Sequence, residues 1–129
     1  MERTITKSLS FGELTLQITE VGEDLHLLLT GGTKPHVGCV VLAVPRPSLA
    51  GGKDIAATSS VLNLTGHKDE AICRYMAEEM AKRENKVTVC TGGFHVDDIT
   101  KEQIAEVLSA VKDMAETLHA AGRPSRAPQ

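Results

Sequence analysis

The stretch that decides the fold is Thr30–Gly38, which reads TGGTKPHVG. Two later stretches share its layout, namely Thr65–Glu70 (TGHKDE) and Thr91–Asp98 (TGGFHVDD). In each of them an apolar run ends in Thr-Gly, and a histidine follows within a few residues. Because glycine tolerates positive φ and lets other groups approach closely, these stretches predict turns at strand ends. Because the three turns have similar sequences, we predict that they form one site together.

The composition is that of a single aliphatic domain. The chain has 129 residues, no Trp, one Tyr and two Phe, and its formal net charge is -3. This length is sufficient to bury a core without disulfides or structural metals. The negative net charge argues against a surface that neutralises nucleic-acid phosphates. We therefore expect no nucleic-acid partner.

The cysteines and the N-terminus indicate the compartment. Cys39, Cys73 and Cys90 are well separated and form no CxxC pair, which favours buried, reduced thiols over a redox or zinc motif. Residues 1–5 lack the apolar segment of a signal peptide. No stretch approaches the ~20 apolar residues that span a bilayer. We expect a soluble, cytoplasmic protein without membrane contact.

Hydrophobic periodicity predicts six strands. Alternating residues predict a hairpin, and four further apolar runs follow, so that the strands fall at 3–9, 13–21, 25–30, 37–44, 55–64 and 86–90. The run at 37–44 is rich in β-branched residues, which is typical of a central strand covered on both faces. Pro45 and Pro47 are predicted to end this strand, because proline cannot donate to a sheet ladder.

Two helices complete the predicted fold. The first spans 67–85 and buries the stripe Ile72, Met76 and Met80. The second opens at Thr100 with a capping box that includes Gln103, and it ends at Gly122. The predicted fold is α+β, with a single, mostly antiparallel sheet of about six strands packed with two helices. Residues 1–121 form one domain, and residues 122–129 form a flexible tail.

Strand direction predicts that the three turns meet. If short connections make neighbouring strands antiparallel up to the fifth, strands three and five point the same way. The first helix then returns the chain to the starting edge, so strand six also points that way. All three strands that end in Thr-Gly would finish at one edge of the sheet, where both helices begin.

The residue types at this edge predict a metal and an anion. His36, His67 and His95 are candidate metal ligands, and the same edge carries the carboxylates Asp69, Glu70, Asp97 and Asp98. Imidazoles together with carboxylates suit Zn, Fe, Mn, Ni or Cu better than Ca or Mg. Glycine turns and helix N-termini suit a phosphate. The candidate phosphate-binding residues are those of the turns, namely Gly31, Gly32, Lys34, His36, Gly66, Gly92 and Gly93.

Other interpretations of these residues stay open. A single histidine after a turn is most often a surface residue, and Asp97 and Asp98 can simply precede the cap of the second helix. A metalloenzyme is an alternative function, in which a metal-bound water and Asp97 or Asp98 hydrolyse a small substrate. A structural assembly partner without a small ligand is a further alternative.

Two segments carry a family resemblance. Gly31–Gly38 (GGTKPHVG) and Gly92–Ile99 (GGFHVDDI) resemble the small prenylated-flavin chaperone family, and the resemblance extends over roughly residues 3–120. Members of that family accompany gallate-type decarboxylases that depend on prenylated FMN.

The resemblance implies a non-enzymatic role, in which the chain binds prenylated FMN or FMN and delivers it to the decarboxylase. It also implies an α+β fold similar to small proteasome-assembly-chaperone domains, and pairing as a homodimer. The three histidines fit this role if their metal binds the flavin phosphate with help from Lys34.

Overall fold

The computed structural model describes residues 2–49, 54–64 and 68–121, with side chains up to residue 118. The element order is β1 (Glu2–Leu9), β2 (Gly12–Val21), β3 (Asp24–Gly32), β4 (Cys39–Pro47), β5 (Ile55–Asn63), α1 (Lys68–Glu84), β6 (Thr88–His95) and α2 (Lys101–Ala121). The predicted tail at 122–129, and with it Gly122, lies outside the described residues, as do Gly66 and His67.

The six strands form one sheet in the order β1-β2-β3-β6-β4-β5. β3 and β6 pair in parallel, and every other neighbouring pair is antiparallel. β6 is therefore inserted between β3 and β4, after α1 has crossed the sheet. The predicted α+β class is confirmed, and so is the prediction that strands three, five and six share one direction.

The first Gly-Gly pair ends its strand, as predicted, but the second does not. β3 ends at Gly32, whereas Gly92 and Gly93 lie inside β6, which ends at His95. The parallel register between these strands pairs Gly31 with Phe94 and Gly32 with His95. Gly32 and Gly92 have φ values of 82° and 143°, so the paired strands use conformations at these positions that other residues rarely adopt.

The predicted end of the fourth strand is also wrong. β4 begins at Cys39 and continues through Pro45 to Pro47, paired with β5 along its whole length. Its pairing with β6 ends at Ala43, so the proline segment has a neighbouring strand on one side only. Proline is tolerated where its missing N–H faces no ladder partner.

The core lies between the sheet and the two helices. Alternate residues of the inner strands point towards the helices and are buried, among them Leu16, Leu27 and Val41. The predicted stripe Ile72, Met76 and Met80 is buried on α1, and α2 buries Val107, Val111, Met114 and Leu118. The predicted capping box is present, since Thr100 N donates to Gln103 Oε1 (2.9 Å) and Gln103 N donates to Thr100 Oγ1 (3.1 Å).

The helices cover only one face of the sheet. Leu42 and Val44 of β4 and Leu62 of β5 are 41%, 43% and 74% exposed on the opposite face. Within the described residues, the prediction that the fourth strand is covered on both faces is therefore wrong. A continuous apolar run indicates two apolar faces, but it does not indicate whether the same chain covers both.

The three cysteines are free and buried, as predicted. They belong to three elements, because Cys39 lies on β4, Cys73 on α1 and Cys90 on β6. A hydrogen bond with Cys73 together with burial raises the pKa of the Cys39 thiol. A thiol whose pKa is raised forms little thiolate, so Cys39 is a packing residue and a poor nucleophile.

Candidate functional site

Two of the three predicted histidines meet at one edge of the sheet. His36 lies on the loop between β3 and β4, and His95 is the last residue of β6. Their ring centroids are 6.3 Å apart, with an angle of 79° between the ring planes. Together with Lys34 they line an open depression of about 340 Å³. Three basic side chains around one depression suit an anionic ligand.

Each ring nitrogen of His36 contacts an oxygen atom. Nδ1 lies 3.0 Å from the backbone oxygen of Lys34, and Nε2 lies 3.1 Å from Oδ2 of Asp69. A carbonyl and a carboxylate oxygen only accept hydrogen bonds, so a ring N–H of His36 is the donor in such a contact. The two contacts hold the ring in one orientation at the edge of the depression.

Asp69 is the buried residue of the site, with 3% of its surface exposed. Its Oδ1 accepts hydrogen bonds from the backbone N–H of Phe94 (2.9 Å) and from Lys68 Nζ (3.2 Å). Lys68 Nζ also donates to the carbonyl of Phe94. A buried carboxylate requires such partners, because its desolvation is otherwise costly. Asp69 links α1, β6 and the loop that carries His36.

Two glycines make room for this arrangement. A Cβ atom on Gly93 would lie 2.7 Å from His36 Nε2, and one on Gly38 would lie 2.2 Å from Asp69 Oδ2. Both distances are shorter than real contacts of a Cβ atom. The glycines therefore permit the ring and the carboxylate to lie directly against the backbone of β6 and of the loop.

His95 is paired more loosely. Its Nε2 lies 2.9 Å from Oδ1 of Asp97, and the side chains are 38% and 74% exposed. The hydrogen bond from His95, and then the charge of Lys34, lower the pKa of the Asp97 carboxyl. Asp98 is also exposed, and its φ is 56°. Neither carboxylate has the burial that raises the pKa of a catalytic base.

The predicted site residues divide into three groups. Lys34, His36 and His95 line the depression, and Gly93 contacts the His36 ring. Gly31, Gly32 and Gly92 lie in the paired strands that lead to this edge. Gly66 and His67 lie outside the described residues.

The sequence places the Asp69 carboxylate at this edge of the sheet but does not single it out as a site residue, because an acid in the first turn of a helix can merely complement the helix dipole. Lys68 was not predicted as a site residue. The available signal was that Asp69 lies two positions after a histidine in one of the three similar stretches.

The described residues fit a metal only in part. Within 2–49, 54–64 and 68–121, no three His, Cys, Asp or Glu side chains are grouped so as to bind a metal ion. Both ring nitrogens of His36 already have oxygen partners. The predicted ligand set His36, His67 and His95 stays a prediction, and it depends on His67.

Comparison with known proteins identifies the family. Residues 10–122 match the family described as the prenylated flavin chaperone LpdD-like domain. The chain is 31% identical over 97 residues to protein LpdD of Lactiplantibacillus plantarum, a match that covers 74% of this chain and 66% of that protein. The chain belongs to the prenylated flavin chaperone LpdD-like family. The match to the curated relative spans less than two thirds of that relative's length.

A solved structure supports the fold. The chain aligns with one from the crystal structure of a novel chaperone complex for yeast 20S proteasome assembly, with a TM-score of 0.59 and 14% identity. The alignment covers 92% of this chain and 96% of the other. The predicted similarity to proteasome assembly chaperones is thus confirmed at the level of the fold. Among the described helices, neither is long and apolar enough to cross a membrane.

Proposed function

We propose that this chain binds prenylated FMN through its phosphate group and delivers the cofactor to a decarboxylase that depends on it. Membership of the prenylated flavin chaperone family supports the cofactor class. The observation that carries the site is the meeting of Lys34, His36 and His95 around one open depression. An ammonium group and two imidazole rings at the end of a sheet suit a phosphate dianion.

The openness of the depression suits a carrier. Phosphate bound by exposed basic side chains at a sheet edge leaves the flavin ring accessible to a second protein, and exposed polar contacts exchange readily because water screens them. The exposed Asp97 carboxylate is hydrogen-bonded to His95 and is not desolvated. These features support binding and transfer, and they do not favour the hydrolase alternative. We place this exchange in the cytoplasm, as the sequence predicts.

A divalent transition metal would add a second mode of phosphate binding. His36 and His95 are suitable ligand types, and His67 would have to complete the set. Such a metal would supply a positive centre to which a phosphate oxygen binds. We favour direct binding by the basic side chains, because Lys34 lines the depression beside the two histidines.

The test of the proposed function is a titration of the purified protein with FMN and with reduced prenylated FMN, each with and without a chelator. We expect binding that survives chelation and weakens by about tenfold in Lys34→Ala, since a charge-assisted hydrogen bond to phosphate is lost. Loss of binding on chelation would replace direct binding by the metal mode. The absence of flavin binding under both conditions would refute the proposal.

Delivery needs a separate experiment. An apo-decarboxylase of the prenylated-FMN class is mixed with cofactor that is either free or bound to this chain, and the rate at which activity appears is measured. We expect faster activation from the bound cofactor. Equal rates at all protein concentrations would leave binding intact and would refute delivery.

We also propose that the chain pairs as a homodimer through the open face of the sheet. Leu42, Val44 and Leu62 are exposed there. The alternate residues at the centre of this face, at 15–19, 26–30, 40–44, 58–62 and 89–91, include no Asp, Glu, Lys or Arg, whereas Glu13 and Arg46 lie at its ends. A patch whose centre carries no charge repels its own copy little, and an exposed apolar patch favours association.

Analytical ultracentrifugation tests the homodimer. We expect Leu42→Asp to produce a monomer, because a buried unpaired carboxylate is costly at an interface. Ala105→Asp on the exposed face of α2 adds the same charge elsewhere and should stay dimeric. A wild-type monomer at micromolar concentration, or a dimeric Leu42→Asp protein, would contradict this assignment.

A further inference from the structure

We propose that Asp69 is the positioning residue of the site, a buried carboxylate that fixes the His36 ring and so sets where a phosphate group binds. This inference rests on the proposed function and extends it to a residue that does not line the depression. Asp69 acts through His36, and it contacts no ligand itself.

The two carboxylate oxygens of Asp69 have different partners. Oδ1 accepts from the backbone N–H of Phe94 (2.9 Å) and from Lys68 Nζ (3.2 Å), and these bonds fix the carboxylate to β6 and α1. Oδ2 is directed at His36 Nε2, 3.1 Å away. An acid that only complements a helix dipole needs no burial and no such partners. Glu70, the next residue of the first turn, already supplies a partly exposed acid there.

The His36 ring is fixed on its other sides as well. Its Nδ1 is bonded to the backbone oxygen of Lys34, 3.0 Å away. Its plane lies against Gly93, where a Cβ atom would come within 3.0 Å of three ring atoms. The ring also lines the depression. Of the two hydrogen-bond partners given for the His36 ring, the Asp69 carboxylate is the one that accepts two further hydrogen bonds.

The same carboxylate joins the two histidines of the depression. Asp69 accepts from the N–H of Phe94, and the next residue along β6 is His95. Asp69 therefore fixes the loop that carries His36 and the end of the strand that carries His95 relative to α1. A phosphate that contacts both histidines requires this spacing to be constant, because misplaced ligand groups weaken binding steeply.

The test compares Asp69→Asn with the wild-type protein. The carboxamide has one oxygen in place of two, and the buried N–H of Phe94 retains it, so His36 Nε2 loses its acceptor. Two quantities are measured: the dissociation constant for FMN, and the nuclear Overhauser effects between the His36 ring protons and the α protons of Gly93 without ligand. Asp113→Asn, on the exposed face of α2, is the matched control.

We expect the His36–Gly93 contacts to be lost and FMN binding to weaken by about tenfold, as for a lost charge-assisted hydrogen bond. Asp113→Asn should match the wild-type protein in FMN affinity and in the His36–Gly93 contacts. Unchanged ring contacts, or FMN affinity within about twofold of the wild type, would overturn the inference. If the wild-type protein binds no FMN, the proposed function fails, and the ring contacts still decide whether Asp69 positions His36.

A second variant covers the case in which Asp69→Asn does not fold. Gly93→Ala leaves Asp69 intact and displaces the ring from the opposite side, because its Cβ atom would lie 2.7 Å from Nε2. The φ of Gly93 is not positive, so the backbone accepts alanine. We expect FMN binding to weaken by about tenfold again. Unchanged affinity in Gly93→Ala would overturn the inference.

Discussion

His36 and His95 face the same depression, and each is paired with an aspartate, but the two pairs differ in construction. Asp69, the partner of His36, is 3% exposed and has hydrogen bonds to two further groups. Asp97, the partner of His95, is 74% exposed. The distances alone, 3.1 Å and 2.9 Å, would suggest the opposite order of strength.

This difference shows that burial and further partners decide what a histidine–aspartate pair contributes. An exposed pair is screened by water and competes with solvent for every hydrogen bond. A buried carboxylate that loses its partners leaves polar groups unsatisfied. The His36 pair therefore fixes a geometry, and the His95 pair adds adaptable charge at the rim.

The largest expected effect is on stability. Asp69→Ala should lower the free energy of unfolding by about 3 kcal/mol, because the buried N–H of Phe94 loses its acceptor and a small cavity forms. Asp97→Ala should give a far smaller loss in the same urea denaturation experiment, because its hydrogen bond with His95 is exposed. Equal losses for the two variants would mean that burial does not distinguish the pairs.

A smaller loss is expected from Gly38→Ala. The added methyl group would lie 2.2 Å from Oδ2 of Asp69, a carboxylate that cannot move without breaking its other bonds. Overpacking of this kind should cost about 2 kcal/mol in the free energy of unfolding, measured by urea denaturation. Val37→Ala, at a neighbouring half-exposed position, is the control and should change stability little. If Gly38→Ala unfolds at the same urea concentration as the wild-type protein, the contact between the added methyl group and Asp69 is relieved at no cost in stability.

Ligand binding should separate the two histidines directly. We expect His36→Ala to weaken FMN binding by about tenfold and His95→Ala by about threefold, because the fixed ring loses less entropy when it binds phosphate. Isothermal titration calorimetry under identical salt conditions measures both constants. A larger loss in His95→Ala would reverse the assigned order.

The smallest effect concerns pH. His95 and Lys34 lower the pKa of Asp97, so the stability that this carboxylate contributes is present above its unfolded-state pKa and is lost as pH falls through the lower folded-state value. We expect His95→Ala to raise the pKa of Asp97 towards its ordinary value. Carboxyl carbon chemical shifts followed over a pH titration measure this change. An Asp97 pKa that does not move would show that His95 is not its partner in solution.

Much of the fold follows from local patterns. The alternation in β2 and β3, the stripe Ile72, Met76 and Met80, and the capping box at Thr100 each depend on residues close together in the chain. They predicted element types and strand directions correctly. The strand ends predicted at Gly92 and Pro45 are wrong, because pairing with strands distant in the sequence continues past both residues.

The same division holds for the site. The sequence alone predicted that strands three and six run in the same direction and that basic residues lie at the end of each. It therefore determined that Lys34, His36 and His95 lie at one edge of the sheet. Only the tertiary structure decided that Asp69 is buried between α1 and β6 with one oxygen directed at His36. Burial and hydrogen-bond partners are set by residues far apart in the chain, 33 positions for His36 and 25 for Phe94. No local pattern carries that information, and for this reason the burial and the partners of this carboxylate were visible only in three dimensions.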